Sequence, residues 1–135
     1  MDTESTEGRR VRPRAGRRPH AVTGSLLRFD LAGEVRALAH EPEWVEQGHN
    51  AKTLVKSPDV RVVLIALKAG CGMRKHKTDQ CLTLHALEGR LAVRVPGQAL
   101  DIPAGTMIAL GQTVVHDVVA IEDSVLLLTL GWSKA

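Results

Sequence analysis

Within one short stretch of this 135-residue chain stand Cys71, His76, Cys81 and His85, residue types that ligate metals or move protons. The grouping Cys-x4-His-x4-Cys-x3-His offers two thiolates and two imidazoles, a set that tetrahedral zinc uses. Knuckle-like zinc sites open on a C-x2-C turn, however, and that turn is missing here, while Cys81 and His85 fall in a segment that reads as a strand. The plainer readings are a turn residue for Cys71 and a small apolar residue between strands for Cys81. His116 stands apart from this group. Asp117 follows it directly, but neighbours on a strand face opposite sides, so no His-Asp pair is implied. Arg74, Lys75 and Lys77 around His76 either draw an anion or form a solvated loop. His40 and His49 precede the first strand and are expected at the surface. There is no Ser-His-Asp order, phosphate loop or nucleophile elbow, and two cysteines are too few for a disulfide framework.

The elements that must position these residues follow from composition and pattern. A chain of this length forms one domain and buries roughly two thirds of the surface its unfolded form exposes. Hydrophobic residues make up 44% and aromatics only 2%, so the core is built from Val, Leu, Ile and Ala, and base stacking on aromatic platforms is excluded as a main function. Residues 1–20 hold six arginines against Asp2, Glu4 and Glu7, so the whole net charge of +3 sits in this tail. Nucleic acid binding is therefore expected at most through the arm and not on a neutral folded body. Residues 1–25 lack apolar periodicity and read as a disordered arginine-rich arm, leaving 26–135 as the barrel domain. No secretory or membrane-spanning segment is apparent, and the expected setting is soluble, reducing and cytoplasmic.

From Asp30 onward Leu31, Val35, Leu38 and Ala39 recur at helical spacing, which predicts one short helix over 31–40 that Pro42 ends. Beyond Trp44, turn signals divide the chain into strands at 51–56, 60–68, 80–87, 90–95, 98–102, 106–110, 116–121 and 124–130. Short strands at this rhythm make a sandwich or barrel. The strand beginning at Val60 (VRVVLIAL) is apolar on both faces apart from Arg61, as in a strand at a subunit interface, which predicts a homodimer through it.

The spacing of several residues resembles the cupin superfamily. Its first motif, G-x5-H-x-H-x3,4-E-x6-G, is matched in spacing by Gly70, His76, Thr78, Leu82 and Gly89; its second, G-x5-P-x-G-x2-H-x3-N, by Gly105, Gly111, Thr113, His116 and Ala120. The first motif keeps its glycines and first His; the second keeps its first Gly and its His. The resemblance implies an all-β fold, a cupin-type double-stranded β-helix (jelly-roll barrel) with one short N-terminal helix. It places His76, Thr78, Leu82 and His116 on the inner surface as ligand-binding residues. His76 and His116 are then the tentative metal ligands, for Zn, Fe, Mn or Ni, with Asp79, Gln80 or His85 as residues that a metal could recruit. Two histidines alone leave a shell short of the three or four protein ligands that functional sites use. As core residues, the same histidines would be satisfied by backbone or by each other.

Three functions follow as expectations. The first is a small-molecule-binding barrel with a degenerate metal site, His76 and His116 being polar anchors amid Leu82, Leu84, Val93, Met107 and Val118. The second is a metal-dependent cupin enzyme of oxygenase or isomerase type. The third is a dimeric regulatory or interaction module that uses the arginine arm.

Overall fold

The computed structural model describes residues 26–76, 80–112 and 114–131, and of residues 74–76 the backbone. The arm expected over 1–25 lies outside the described residues. The described residues open with helix α1 (Leu31–Ala39) and helix α2 (Pro42–Gln47). The single expected helix is thus followed by a second, because Pro42 occupies the first turn of α2, where its missing N–H costs nothing.

The strands follow as β1 (His49–Lys56), β2 (Val60–Leu67), β3 (Gly72–His76), β4 (Leu82–Glu88), β5 (Arg90–Val95), β6 (Gln98–Pro103), β7 (Met107–Leu110), β8 (His116–Ala120) and β9 (Ser124–Gly131). They form a five-stranded sheet in the order β1-β2-β9-β4-β7 and a four-stranded sheet in the order β3-β8-β5-β6. Every strand pairing is antiparallel. Strand β3 has no counterpart in the turn pattern of the sequence. Among the described residues it is an edge strand paired with β8 alone, and charged residues such as Arg74 and Lys75 are usual in edge strands. Its approach to β8 is close: a Cβ on Gly72 would stand 2.2 Å from the Val118 carbonyl oxygen.

Alternation splits the apolar residues of the five-stranded sheet between two cores. Ile65, Leu67, Leu82, Leu84, Ala86 and Leu126 face Leu91, Val93, Ile102, Val118 and Ala120 of the other sheet, and this is the barrel interior. On the other face Leu54, Leu64, Ala66 and Val125 pack beneath Leu38 of α1, with Phe29, Leu31, Val35 and Trp44 around them. The apolar outer side of β2, from which a second copy was expected, is therefore covered within one chain. Polar contacts tie this cover down. The buried Asn50 amide donates to the Leu38 carbonyl at 3.2 Å and to Glu41 Oε1 at 2.9 Å, and Lys52 of β1 pairs with Glu34 of α1.

Candidate functional site

The strand directions give the barrel two unlike ends. Leu67 lies opposite Ser124, and the β2–β3 turn and the β8–β9 connection close this end. Around it Leu67, Leu84, Ala86, Leu91, Ile102, Ala120 and Leu126 are all buried. At the other end Arg61 lies opposite Leu130, Leu130 opposite Leu82, and Leu82 opposite Leu110, one row across the sheet. Here Val63, Met73, Val95, Leu100, Ile108, Leu110, Leu128 and Leu130 are only partly buried. This open end is the barrel mouth.

His116 begins β8 at the mouth and is 3% exposed, on the same side of the strand as the buried Val118 and Ala120. The ladder places the backbone of His76 directly opposite that of His116. Register thus brings together the two histidines that sequence spacing selected. His116 Nδ1 lies 3.0 Å from the Val114 carbonyl oxygen. A carbonyl only accepts, so Nδ1 carries a proton and donates it there. Leu82 is 4% exposed within the core at the same end. Thr78 and Asp79 lie outside the described residues.

Several other expectations are corrected or sustained. Met107 is not a pocket wall: it is 58% exposed, and Ile108 and Leu110 face the barrel in its place. The inward phase of β7 is set by its pairing with β4, where Leu84 faces Ile108 and Leu82 faces Leu110, and the apolar sequence MIAL does not reveal that phase. Leu84, Val93 and Val118, expected to line a pocket, are each 0% exposed and belong to packed core. The zinc grouping does not assemble. The Cys71 carbonyl accepts from Ala120 N at the closed end, whereas the Cys81 carbonyl accepts from Gly131 N at the mouth end. His85 alternates with the inward Leu84 and Ala86 and so faces away from the lumen. Asp117 also turns outward, to a two-point ion pair with Arg94 at 3.1 Å on each arm. This hydrogen bonding and the carboxylate charge hold the exposed Arg94 guanidinium above its ordinary value. His40 and His49 are exposed as expected. A hollow of about 350 Å³ is lined by Cys81, Leu82, Thr83, Ala109, Leu110, Gly111, Thr129 and Gly131, and so shares Leu82 and Leu110 with the mouth row.

A resident metal is not supported by the described residues. His116 is the one donor among the motif positions whose side chain is described, and Leu82 puts an apolar side chain where the motif has its Glu. Among the described residues no three of His, Cys, Asp and Glu lie together. One residue that the motifs did not select belongs at the mouth: Arg61, which alternates with the inward Val63 and Ile65 of β2. Its signal in the sequence was its position as the single charge in an apolar run.

Comparison with known proteins finds no matching family model and no matching curated protein. Solved structures do match. A cupin superfamily protein from Desulfitobacterium hafniense superposes with a TM-score of 0.62 at 13% identity, over 63% of this chain and 78% of that one. KdgF from Halomonas sp. gives 0.61 at 21% identity, over 67% and 84%. Salicylate 1,2-dioxygenase from Pseudoaminobacter salicylatoxidans, whose crystals hold gentisate adducts, gives 0.67 at 19% identity, over 76% of this chain and only 34% of that one. The chain has the cupin fold, with two antiparallel sheets and two short helices among the described residues. No helix among the described residues is long and apolar enough to cross a membrane.

Proposed function

We propose that the barrel mouth binds a small, largely apolar molecule oriented by His116 and His76. The observation that carries this reading is the buried His116 at the mouth, whose ring is oriented by its Nδ1–H donating to the Val114 carbonyl. Around it the partly buried Val63, Val95, Leu110, Leu128 and Leu130 supply the apolar walls. Few polar groups among many apolar ones is the usual make-up of a small-molecule site.

The test uses benzamide, a neutral probe with an apolar body and an N–H donor, followed through the methyl NMR signals of those five residues. Mouth methyls should shift on titration. Replacing His116 and His76 by Ala should leave the barrel folded and weaken binding roughly tenfold, which is about 1.4 kcal/mol for one lost hydrogen bond. Methyl signals that stay fixed in the wild type would refute the reading.

A second reading, a metal-dependent enzyme, is favoured by one observation. An imidazole whose other ring nitrogen donates to a backbone carbonyl is the arrangement that metal-ligating histidines adopt. Metal content of the purified protein decides it: one equivalent in the wild type, lost in His116→Ala, would establish a metal centre and displace the first reading.

A further inference from the structure

Alternation gives the hollow beside β4, β7 and β9 a definite face. Thr83 lies between the inward Leu82 and Leu84, Ala109 between Ile108 and Leu110, and Thr129 between Leu128 and Leu130. The ladders set Thr83 opposite both Ala109 and Thr129, so the three form one row on the outer side of the five-stranded sheet. Helices α1 and α2 cover that side over β1 and β2, and the hollow opens where this cover stops. None of its described lining residues is charged. The outer side of the other sheet, by contrast, carries the ion pairs Arg90–Asp101 and Arg94–Asp117. A sheet face that meets water is normally polar, so a charge-free hollow is suited to a cover.

The chain itself brings one to this place. Gly131 ends β9, lines the hollow, and is followed directly by Trp132, one of two tryptophans in the sequence. Consecutive Cα atoms are about 3.8 Å apart, so the indole of Trp132 is within reach of the hollow or of the mouth. Strand β2 starts at Val60, opposite Gly131, and its ladder supplies no position opposite residue 132 to hold the chain in line toward the mouth. A return path over the sheet is open: a Cβ on Gly131 would meet only the Cys81 carbonyl oxygen, at 3.8 Å, and one on Gly111 would meet nothing within 4 Å. We infer that Trp132 folds back over Gly131 into the hollow, covers its charge-free floor and shields the Cys81 thiol. The volume of about 350 Å³ is at the low end for small-ligand sites and suits one bicyclic ring. Thr83 and Thr129 supply hydroxyls that accept from the indole N–H, the partner a buried tryptophan needs. This cover is separate from whatever the mouth binds.

The test is run on the full chain carrying Cys71→Ser, which leaves Cys81 as its sole cysteine. Adding Trp132→Ala should speed alkylation of Cys81 by iodoacetamide roughly tenfold, as for a docked segment that is open about a tenth of the time. A second readout does not depend on that variant folding. With Trp44→Phe, Trp132 is the remaining indole, and its emission should lie at the wavelength of a buried tryptophan. Adding Thr83→Lys, which raises a long charged side chain from the floor of the hollow, should move that emission to the wavelength of free tryptophan. An alkylation rate unchanged by Trp132→Ala in the folded protein, or a Trp132 emission already at the free wavelength, would overturn the inference. So would a Trp132→Ala variant that shifts the methyl signals of Leu128 and Leu130 and leaves Cys81 reactivity alone, since the indole would then lie over the mouth. Shielding of Cys81 that fades on dilution would overturn it as well, by assigning the cover to a second copy of the chain.

Discussion

Leu82 stands where the motif has a carboxylate, so Leu82→Glu asks whether the barrel still holds the geometry of a metal site. The leucine is 4% exposed, and giving up its burial costs about 1.5–3 kcal/mol. The new carboxylate is partly desolvated, although its place at the open end lets water reach it. A net loss of about 3 kcal/mol corresponds to a fall of roughly 10–13 °C in Tm for a domain of this size. With His76 and His116 the glutamate would make three donors, and a metal held at a hundred times its Kd would return about 2.7 kcal/mol. The assay is thermal unfolding with and without Zn2+, Ni2+ or Mn2+, with chelator as reference. The variant should recover most of its lost Tm with metal, and the wild type should gain little. Leu82→Gln should lose comparable stability without recovering it, and adding His116→Ala to Leu82→Glu should cancel the recovery. A folded Leu82→Glu protein with no metal-dependent rise would show that position 82 does not address the histidines. A wild-type rise as large as the variant's would show that a metal is held without the carboxylate, against the reading preferred here.

Three further outcomes test the frame. Gly89→Ala should cost about 3 kcal/mol or more in urea unfolding, since left-handed backbone alone costs roughly 1–2. At this glycine φ is 81° and a Cβ would stand 2.3 Å from both the Asp123 carbonyl oxygen and Ser124 Oγ; a loss below about 1 kcal/mol would mean the turn relaxes freely. Leu38→Ala should cost about 2–5 kcal/mol, because Leu38 is 1% exposed and seals the outer core over β2. A loss within the noise of the measurement would mean that α1 does not hold this face closed. Arg94→Ala should leave the unfolding midpoint where it is, since the guanidinium is solvent-exposed and its pair with Asp117 is a surface one; a clear fall would assign that pair a structural role.

Much of the barrel was legible because a strand of alternating residues advertises both its existence and its inward face. Leu91, Val93 and Val95 of β5 show this, the first two fully buried and opposite Ile102, Leu100 and Gln98. Where the code is silent, the sequence is silent too. In MIAL both faces of β7 are apolar, so its phase is decided only by the register against β4. In GMRKH the charges of an edge strand look like those of a loop. In VRVVLIAL the second apolar face announces a cover without naming it, and α1 and α2 supply the cover that a second copy would otherwise have had to provide.

The pairing of positions 76 and 116 was legible for a different reason. Motif spacing encodes register: the interval between the glycines and His76, and between Gly105 and His116, is a count of residues along strands whose turns are pinned by glycines such as Gly89 and Gly105, with φ of 81° and 90°. Arg61 escaped because no motif counts to it, yet the topology places it by the same arithmetic. In an antiparallel barrel, strands alternate between starting and finishing at a given end. Here β2, β4 and β8 start at the mouth with Arg61, Leu82 and His116, whereas β3, β7 and β9 finish there with His76, Leu110 and Leu130. Arg61, His76 and His116 are thus the second residue of one strand, the last of another and the first of a third, far apart in sequence and gathered at one end. Polar groups inside a barrel are costly without partners, and at the closed end the buried residues are Leu, Ile and Ala together with Ser124, whose hydroxyl is hydrogen-bonded to the Arg90 and Glu122 carbonyls. Confining the His116 imidazole and the Arg61 guanidinium to the open end spares the packed half that cost.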